Sequence, residues 1–255
     1  EILRTSLLPS LMECLASNLR QDEAGPRLFE IGRVYLPRHA DVHEERQMLV
    51  IGMAGPRWQR QWSRAAAQLD FYDLKGVVEE LLDRLNLGET RFIQIMDQYP
   101  FHPGRTTAVY SKDARLGVMG ELHPAVARNF EVRVPVCLAE FDLEQLLSVI
   151  GGEFLRIVPP PRFPAVRRDL ALIVPERVPV SELFEAIRQA GRPLLYHVEL
   201  FDLFRGEGLA PGQKSCGVGL IFRSSDHTLT DAEVAQVEAC IIQQLQRRTG
   251  ARLRG

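Results

Sequence analysis

Residues 169–174 read DLALIV and residues 215–222 read SCGVGLIF, two short apolar runs of strand length that frame the C-terminal part of the chain. Between them, Ser181 is placed to cap a helix that carries Leu183, Ile187 and Ala190 on one face. That helix stops at Gly191, with Pro193 just beyond. Tyr196–Phe204 reads as a further strand, joined to Ser215–Phe222 by a connection holding Gly206, Gly208 and Gly212. The last helix opens with Thr230-Asp231-Ala232-Glu233, a capping box in which Thr230 and Glu233 satisfy each other's backbone donors. Val234, Val237, Ile241 and Leu245 form its apolar stripe, Arg247 and Arg248 suit the negative end of its dipole, and Gly250 ends it. Ala251–Arg254 is long enough for a short closing strand.

The order is therefore βαββαβ, the ferredoxin-like split βαβ. This topology hosts RNA binding, ligand sensing and metal handling alike, so function has to be read from its side chains. Arg162, Arg167, Arg168, Arg205, Lys214, Arg223, Arg252 and Arg254 fall largely at strand ends or in connections, and guanidinium groups pair well with phosphate. Phe201, Phe204 and Phe222 are either stacking faces for bases or core residues, and strand placement makes core the expected reading.

Upstream, Leu8, Leu11, Leu15 and Leu19 share one face of a helix over residues 5–20, capped by Thr5 or Ser6, with Pro9 in its first turn. Leu28–Leu36 and Met48–Ala54 read as strands. His39, His43, Glu44 and Glu45 lie between them in what reads as a polar loop. The missing apolar periodicity there argues against a helix presenting both imidazoles to a metal. Residues 70–87 form a strong helix with Phe71, Leu74, Val78, Leu81, Leu82 and Leu85 as its stripe. Glu79, Glu80, Asp83 and Arg84 are its solvated face, with no apolar pocket to raise a carboxyl pKa for acid–base work. His102-Pro103-Gly104-Arg105 reads as a tight turn launching a hairpin of Thr106–Ser111 and Leu116–Leu122. Pro124 opens a short helix through Phe130, and Val136–Phe141 is a last strand leading into residues 142–150. His102 and His123, each beside a proline and with no nucleophile in sight, read as turn-bonding histidines. The region is α+β, an antiparallel sheet with helices packed on it.

The Pro159-Pro160-Pro161 run, preceded by Gly151-Gly152, suggests a stiff linker and domains of 1–155 and 156–255. The first carries 17 basic and 22 acidic residues, net −5, and the second 14 and 11, net +3. No run nears the length of a membrane span, and the first residues have no signal-peptide pattern. Cys14, Cys137, Cys216 and Cys240 are too scattered for a zinc site or disulfide framework, which fits reduced thiols in the cytoplasm. Neither a G-x-x-x-x-G-K-[ST] nor a G-x-G-x-x-G nor a G-x-S-x-G motif is present. With no initiator Met and an apolar pattern from the outset, the chain reads as a piece of a longer protein.

Several ordered motifs carry a resemblance. They are Leu3-Arg4-Thr5-Ser6-Leu7-Leu8-Pro9, Leu28-Phe29-Glu30-Ile31-Gly32-Arg33-Val34, Phe71-Tyr72-Asp73-Leu74-Lys75-Gly76, His102-Pro103-Gly104-Arg105 and Gly120-Glu121-Leu122-His123-Pro124. The second region adds Phe163-Pro164-Ala165-Val166-Arg167-Arg168-Asp169-Leu170-Ala171, Leu200-Phe201-Asp202 and Leu229-Thr230-Asp231. Together they resemble the C-terminal part of the β subunit of bacterial phenylalanyl-tRNA synthetases. The resemblance implies a class II synthetase-like module that has lost catalysis, followed by a ferredoxin-fold anticodon-binding domain. It also implies a cytoplasmic α2β2 heterotetramer in which the α subunit holds the site for ATP, magnesium and phenylalanine. No catalytic residue, metal site or cofactor is then expected in this piece. tRNA(Phe) is expected on the net-positive domain, with Arg167, Arg168, Arg205, Lys214, Arg223 and Arg254 as the candidate contacts; Arg168 has Asp169 beside it as a competing ion-pair partner. The alternative is a regulatory module that binds a free amino acid.

Overall fold

The computed structural model describes residues 3–21, 25–37, 43–59, 61–150 and 161–254. Two compact units divide the chain, Glu1–Arg156 and Ile157–Gly255. Gly151, Gly152, Pro159, Pro160 and His39 lie outside the described residues.

The first unit runs α1 (Leu8–Gln21), β1 (Arg27–Pro37), β2 (His43–Ala54), α2 (Phe71–Arg84), β3 (Thr90–Gln94), β4 (Phe101–Ser111), β5 (Ala114–Leu122), α3 (Pro124–Asn129), β6 (Val136–Asp142) and α4 (Leu143–Ser148). Its six strands form one antiparallel sheet in the order β1-β2-β6-β5-β4-β3. Because side chains alternate across a strand, neighbouring residues feed two separate cores. Val50, Val118 and Leu138 pack with Leu11 and Leu15 of α1 and Ala127 of α3. Ile51, Met119 and Ala139 pack on the other side with Leu74, Val78 and Leu82 of α2 and Leu146 of α4.

Local chemistry sets the helix starts. Ser6 Oγ accepts from Leu8 N–H at 3.1 Å, as one of the two expected caps of α1. Asp70 and Asp73 form a capping box on α2, braced by Arg57, whose guanidinium bonds both carboxylates. His123 caps α3 through Nδ1, and Pro124 sits in the first turn as expected.

The sequence reading needs correction at several points in this unit. His43, Glu44 and Glu45 belong to the start of β2, where they pair with Pro37, Leu36 and Tyr35, and not to a loop. His102–Arg105 is a bulge inside β4, not a turn: pairing with β5 jumps from Phe101 to Thr106. Gly104 N–H bonds His102 Nδ1 and Thr106 Oγ1 bonds the His102 carbonyl, so the bulge satisfies its own backbone. The edge strand β3 had no counterpart in the sequence reading, because five residues with one well-packed ring give no usable period.

The second unit runs β7 (Val166–Pro175), α5 (Val180–Gly191), β8 (Leu195–Phe204), β9 (Gln213–Phe222), α6 (Asp231–Thr249) and β10 (Arg252–Leu253). The strand order β10-β7-β9-β8, with every pair antiparallel, is the ferredoxin-like arrangement. Leu172, Val218, Leu220 and Phe222 meet Leu183 and Ile187 of α5 and Val234, Ile241 and Leu245 of α6. Ser181 does not cap α5. Pro179 occupies that position without a side-chain bond, and Ser181 lies in the first helical turn. The capping box on α6 forms as read. Bonds from Thr230 N–H and Oγ1, then from His227, hold the Glu233 carboxyl down at about 2. A depressed carboxyl contributes stability above its unfolded pKa of about 4.3, and that contribution is lost as pH falls through about 2.

Two glycines give opposite expectations in the first unit. A Cβ on Gly117 would lie 2.2 Å from the Glu140 carbonyl oxygen, whereas one on Gly76, exposed on α2, meets nothing within 4 Å. Gly117→Ala should therefore destabilise the first unit by about 1–3 kcal/mol. Gly76→Ala should stabilise it by up to about 1 kcal/mol through helix propensity. Urea unfolding of both variants checks the pair of signs.

Candidate nucleic-acid interface

Strand alternation that sends Leu170, Leu172 and Val174 toward the helices sends Arg167, Asp169 and Ala171 of β7 to the opposite face of the second unit's sheet. On β9 the same parity places Ser215, Gly217, Gly219 and Ile221 there. Small residues thus floor the middle of a sheet face on which neither α5 nor α6 packs. Register aligns Asp169, Gly219 and Glu199 in one row and Arg167, Ile221 and His197 in another.

The aromatic residues depart from the core reading. Phe222 is fully buried, but Phe201 is 59% exposed and Phe204 is 39% exposed. A register shift between Leu200 and Asp202 breaks the period-two pattern, so residues three apart both reach solvent. The Phe201 ring lies over Gly217, where a Cβ would come within 2.7 Å of it. Phe204 stands opposite Ser215, and the Arg254 guanidinium sits 6.0 Å from its ring centroid. Sequence periodicity hid this pair; the signal that could have found it is a Phe-x-x-Phe spacing, which suits no regular strand.

The six expected contacts do not form one cluster. Arg254 joins Phe204 at one end of the face, held by its backbone N–H on the Ala171 carbonyl. Arg167 lies exposed toward the other end. Arg223, just past β9, places its guanidinium 5.0 Å from the Tyr196 ring centroid, and its buried Nε has no hydrogen-bond partner among the described residues. Arg168 points to the helix side, bonding Asp231 of α6 at 2.6 Å and approaching Glu238. Its ion-pair partners are thus on α6 and not the adjacent Asp169. Arg205 grips both carboxylate oxygens of Glu176 and holds that carboxyl below its usual range. Lys214 is 5% exposed and its ammonium donates to the carbonyls of Glu176 at 2.9 Å and Val178 at 2.7 Å. Burial and these two bonds remove Lys214 from contact with an outside phosphate, which corrects its place among the candidates.

The first unit offers a different surface. Phe29, 72% exposed, and Ile31 of β1 line an open apolar groove of about 410 Å3 with Leu49, Ile51, Val77 and Leu81. His102 and His123 stack with ring centroids 6.2 Å apart, and each spends Nδ1 on a backbone N–H, as the turn-bonding reading expected. Burial pushes the Cys137 thiol up to about 12, which makes it inert as a nucleophile. Among the described residues, no group of three or more His, Cys, Asp or Glu could hold a metal ion. No helix among them is long and apolar enough to cross a membrane.

The family described as phenylalanyl tRNA synthetase beta chain CLM domain matches residues 1–143, and the ferredoxin-fold anticodon binding domain matches residues 161–254. The phenylalanine–tRNA ligase beta subunit of Syntrophotalea carbinolica is 37% identical over 99% of this chain and 32% of its own length. That of Clostridium tetani is 35% identical over 99% of the chain and 31% of its own. A pyrrolysyl tRNA synthetase structure from Desulfitobacterium hafniense is similar over 57% of this chain and 49% of its own, with a TM-score of 0.44 and 21% identity. The chain spans about a third of the length of the curated relatives it matches. With one family model covering more than half of the residues and a second following it in order, the chain belongs to the phenylalanyl tRNA synthetase beta chain family.

Proposed function

We propose that this chain is the part of a phenylalanine–tRNA ligase β subunit that supports a catalytic α subunit and binds tRNA(Phe) through its second unit. The whole ligase then attaches phenylalanine to tRNA at the expense of ATP, as a cytoplasmic α2β2 assembly. The observation that carries the tRNA reading is the sheet face with exposed Phe201 and Phe204 beside a floor of Gly217, Gly219 and Ser215. Single-stranded RNA is recognised by stacking bases on aromatic rings of such a sheet while cations take the backbone. Arg254 beside Phe204 and Arg167 and Arg223 toward the other end are the cations best placed for phosphates. Arg205 can exchange its exposed partner Glu176 for a phosphate at small cost, since exposed ion pairs are worth about 0–1 kcal/mol.

Docking of the α subunit is assigned to the first unit's apolar groove. A monomer gains nothing by leaving Phe29, Ile31 and Val77 in water, and aromatic and aliphatic anchors of this kind dominate protein interfaces. The groove is lined by hydrocarbon apart from Arg27, so it does not fit a nucleotide triphosphate with magnesium; ATP and magnesium are assigned to the α subunit.

Binding, stability and co-purification measurements test these assignments. Filter binding of tRNA(Phe) over a salt series should show Phe204→Ala weakening the complex by about 1–3 kcal/mol. The slope should become shallower by about one contact for each of Arg167→Ala and Arg254→Ala. Saturable binding of a free amino acid with no tRNA dependence would favour the regulatory alternative instead. Lys214→Met should leave that slope unchanged but destabilise the second unit by about 1–3 kcal/mol, read by urea unfolding, because it strands two carbonyls. Phe29→Asp and Val77→Glu, both at exposed positions, should each cut co-purification of the α subunit at least about tenfold while the chain stays folded.

A further inference from the structure

Both tryptophans of the chain, Trp58 and Trp62, lie in one loop between β2 and α2. From Gly55 to Leu69 that loop holds Arg57, Arg60 and Arg64 and no acidic residue, inside a unit whose net charge is negative. Its described residues are tied together: Arg57 N–H bonds the Ala67 carbonyl, Leu69 N–H bonds the Gly55 carbonyl, and Gln61 bridges Arg64 around a tight turn. Trp58 is its strut. Its indole donates to the Ala65 carbonyl at 3.1 Å, and the guanidiniums of Arg57 and Arg64 flank its ring at 5.7 and 5.3 Å. Arg57 in turn is fixed to Asp70 and Asp73. Trp62 stands at the turn, 99% exposed.

We propose that this loop is a second RNA contact, in which Trp62 stacks on an unpaired base while Arg64 meets the adjoining phosphate. The proposal rests on the reading of the chain as a tRNA-handling protein but uses a surface of the other unit. The loop's own charges are all positive and, with Arg57 tied to Asp70 and Asp73, Arg64 carries the charge offered to a polyanion. The indole is bordered in the chain by Gln61, Ser63 and Arg64, polar neighbours that suit a stacked base with its phosphate. An exposed ring beside a cation and an amide is what sequence-tolerant base stacking requires. Any unpaired stretch offers the shared chemistry of a π-face next to a phosphate.

The test follows indole emission while the 255-residue chain is titrated, at low salt, with a 12-nucleotide single-stranded RNA and separately with tRNA(Phe). RNA should quench the wild type, and Trp62→Ala should abolish the quenching and weaken single-stranded binding by about 5- to 150-fold. Trp62→Phe should keep most of the affinity, and Arg64→Ala should shallow the salt slope by about one contact. Phe204→Ala should lower tRNA affinity yet leave the quenching in place. Quenching that survives while Phe204→Ala has no effect on tRNA would refute the sheet-face reading and leave this one standing. Unchanged affinity in Trp62→Ala, or quenching by the isolated α subunit and not by RNA, would overturn the proposal.

Discussion

Strand β9 is hydrogen-bonded along both edges, to β7 and to β8, and the two faces of the second unit's sheet follow from that. A central strand cannot turn; its residues must alternate between two faces. Cys216, Val218, Leu220 and Phe222 take the buried face and fix where α5 and α6 pack. Ser215, Gly217 and Gly219 are then forced onto the other face, where Gly217, with no Cβ, leaves room for the Phe201 ring. The open sheet face is thus a by-product of the packing that stabilises the fold.

The same alternation sorts the cations. Arg167 and Arg168 are adjacent in sequence and land on opposite faces, one toward solvent and the other against Asp231. Arg205 and Lys214 both converge on Glu176, in different ways. The guanidinium holds an exposed carboxylate, where the pair is worth little and is open to exchange. The ammonium is buried on two main-chain oxygens, where removing it leaves unsatisfied carbonyls. Net charge of the unit counts these alike, although one cation is exposed and the other buried.

In the first unit the sheet is covered on both faces but unevenly. One face is filled by α1 and α3. On the other, α2 and α4 leave the β1–β2 end open, which creates the apolar groove. Arg57 joins the two features beside it, since it braces the start of α2 and the ring of Trp58 at once. A single guanidinium therefore touches both the cap of the helix and the indole inside the loop.

Much of this was legible in the residues. The βαββαβ order, the capping box on α6, Pro124 opening α3 and the stripes of α1 and α2 are local effects, decided by periodicity of 2 or 3.6 and by groups within four residues of one another. The family resemblance likewise rests on short ordered motifs, and the matches over residues 1–143 and 161–254 bear it out. What sequence could not supply depends on register. His102–Arg105 reads as a turn until pairing shows that β5 continues past it, and Phe201 and Phe204 read as core until register puts Phe201 on the open face and a one-residue shift after Leu200 brings Phe204 to the same side. The burial of Lys214 and the pairing of Arg168 with a helix 63 residues away were equally out of reach. The sequence by itself determined which elements form and which side chains carry charge or a ring. The tertiary structure decided which of those side chains meet solvent, because a strand's face is set by what it pairs with, and that partner lies far away along the chain.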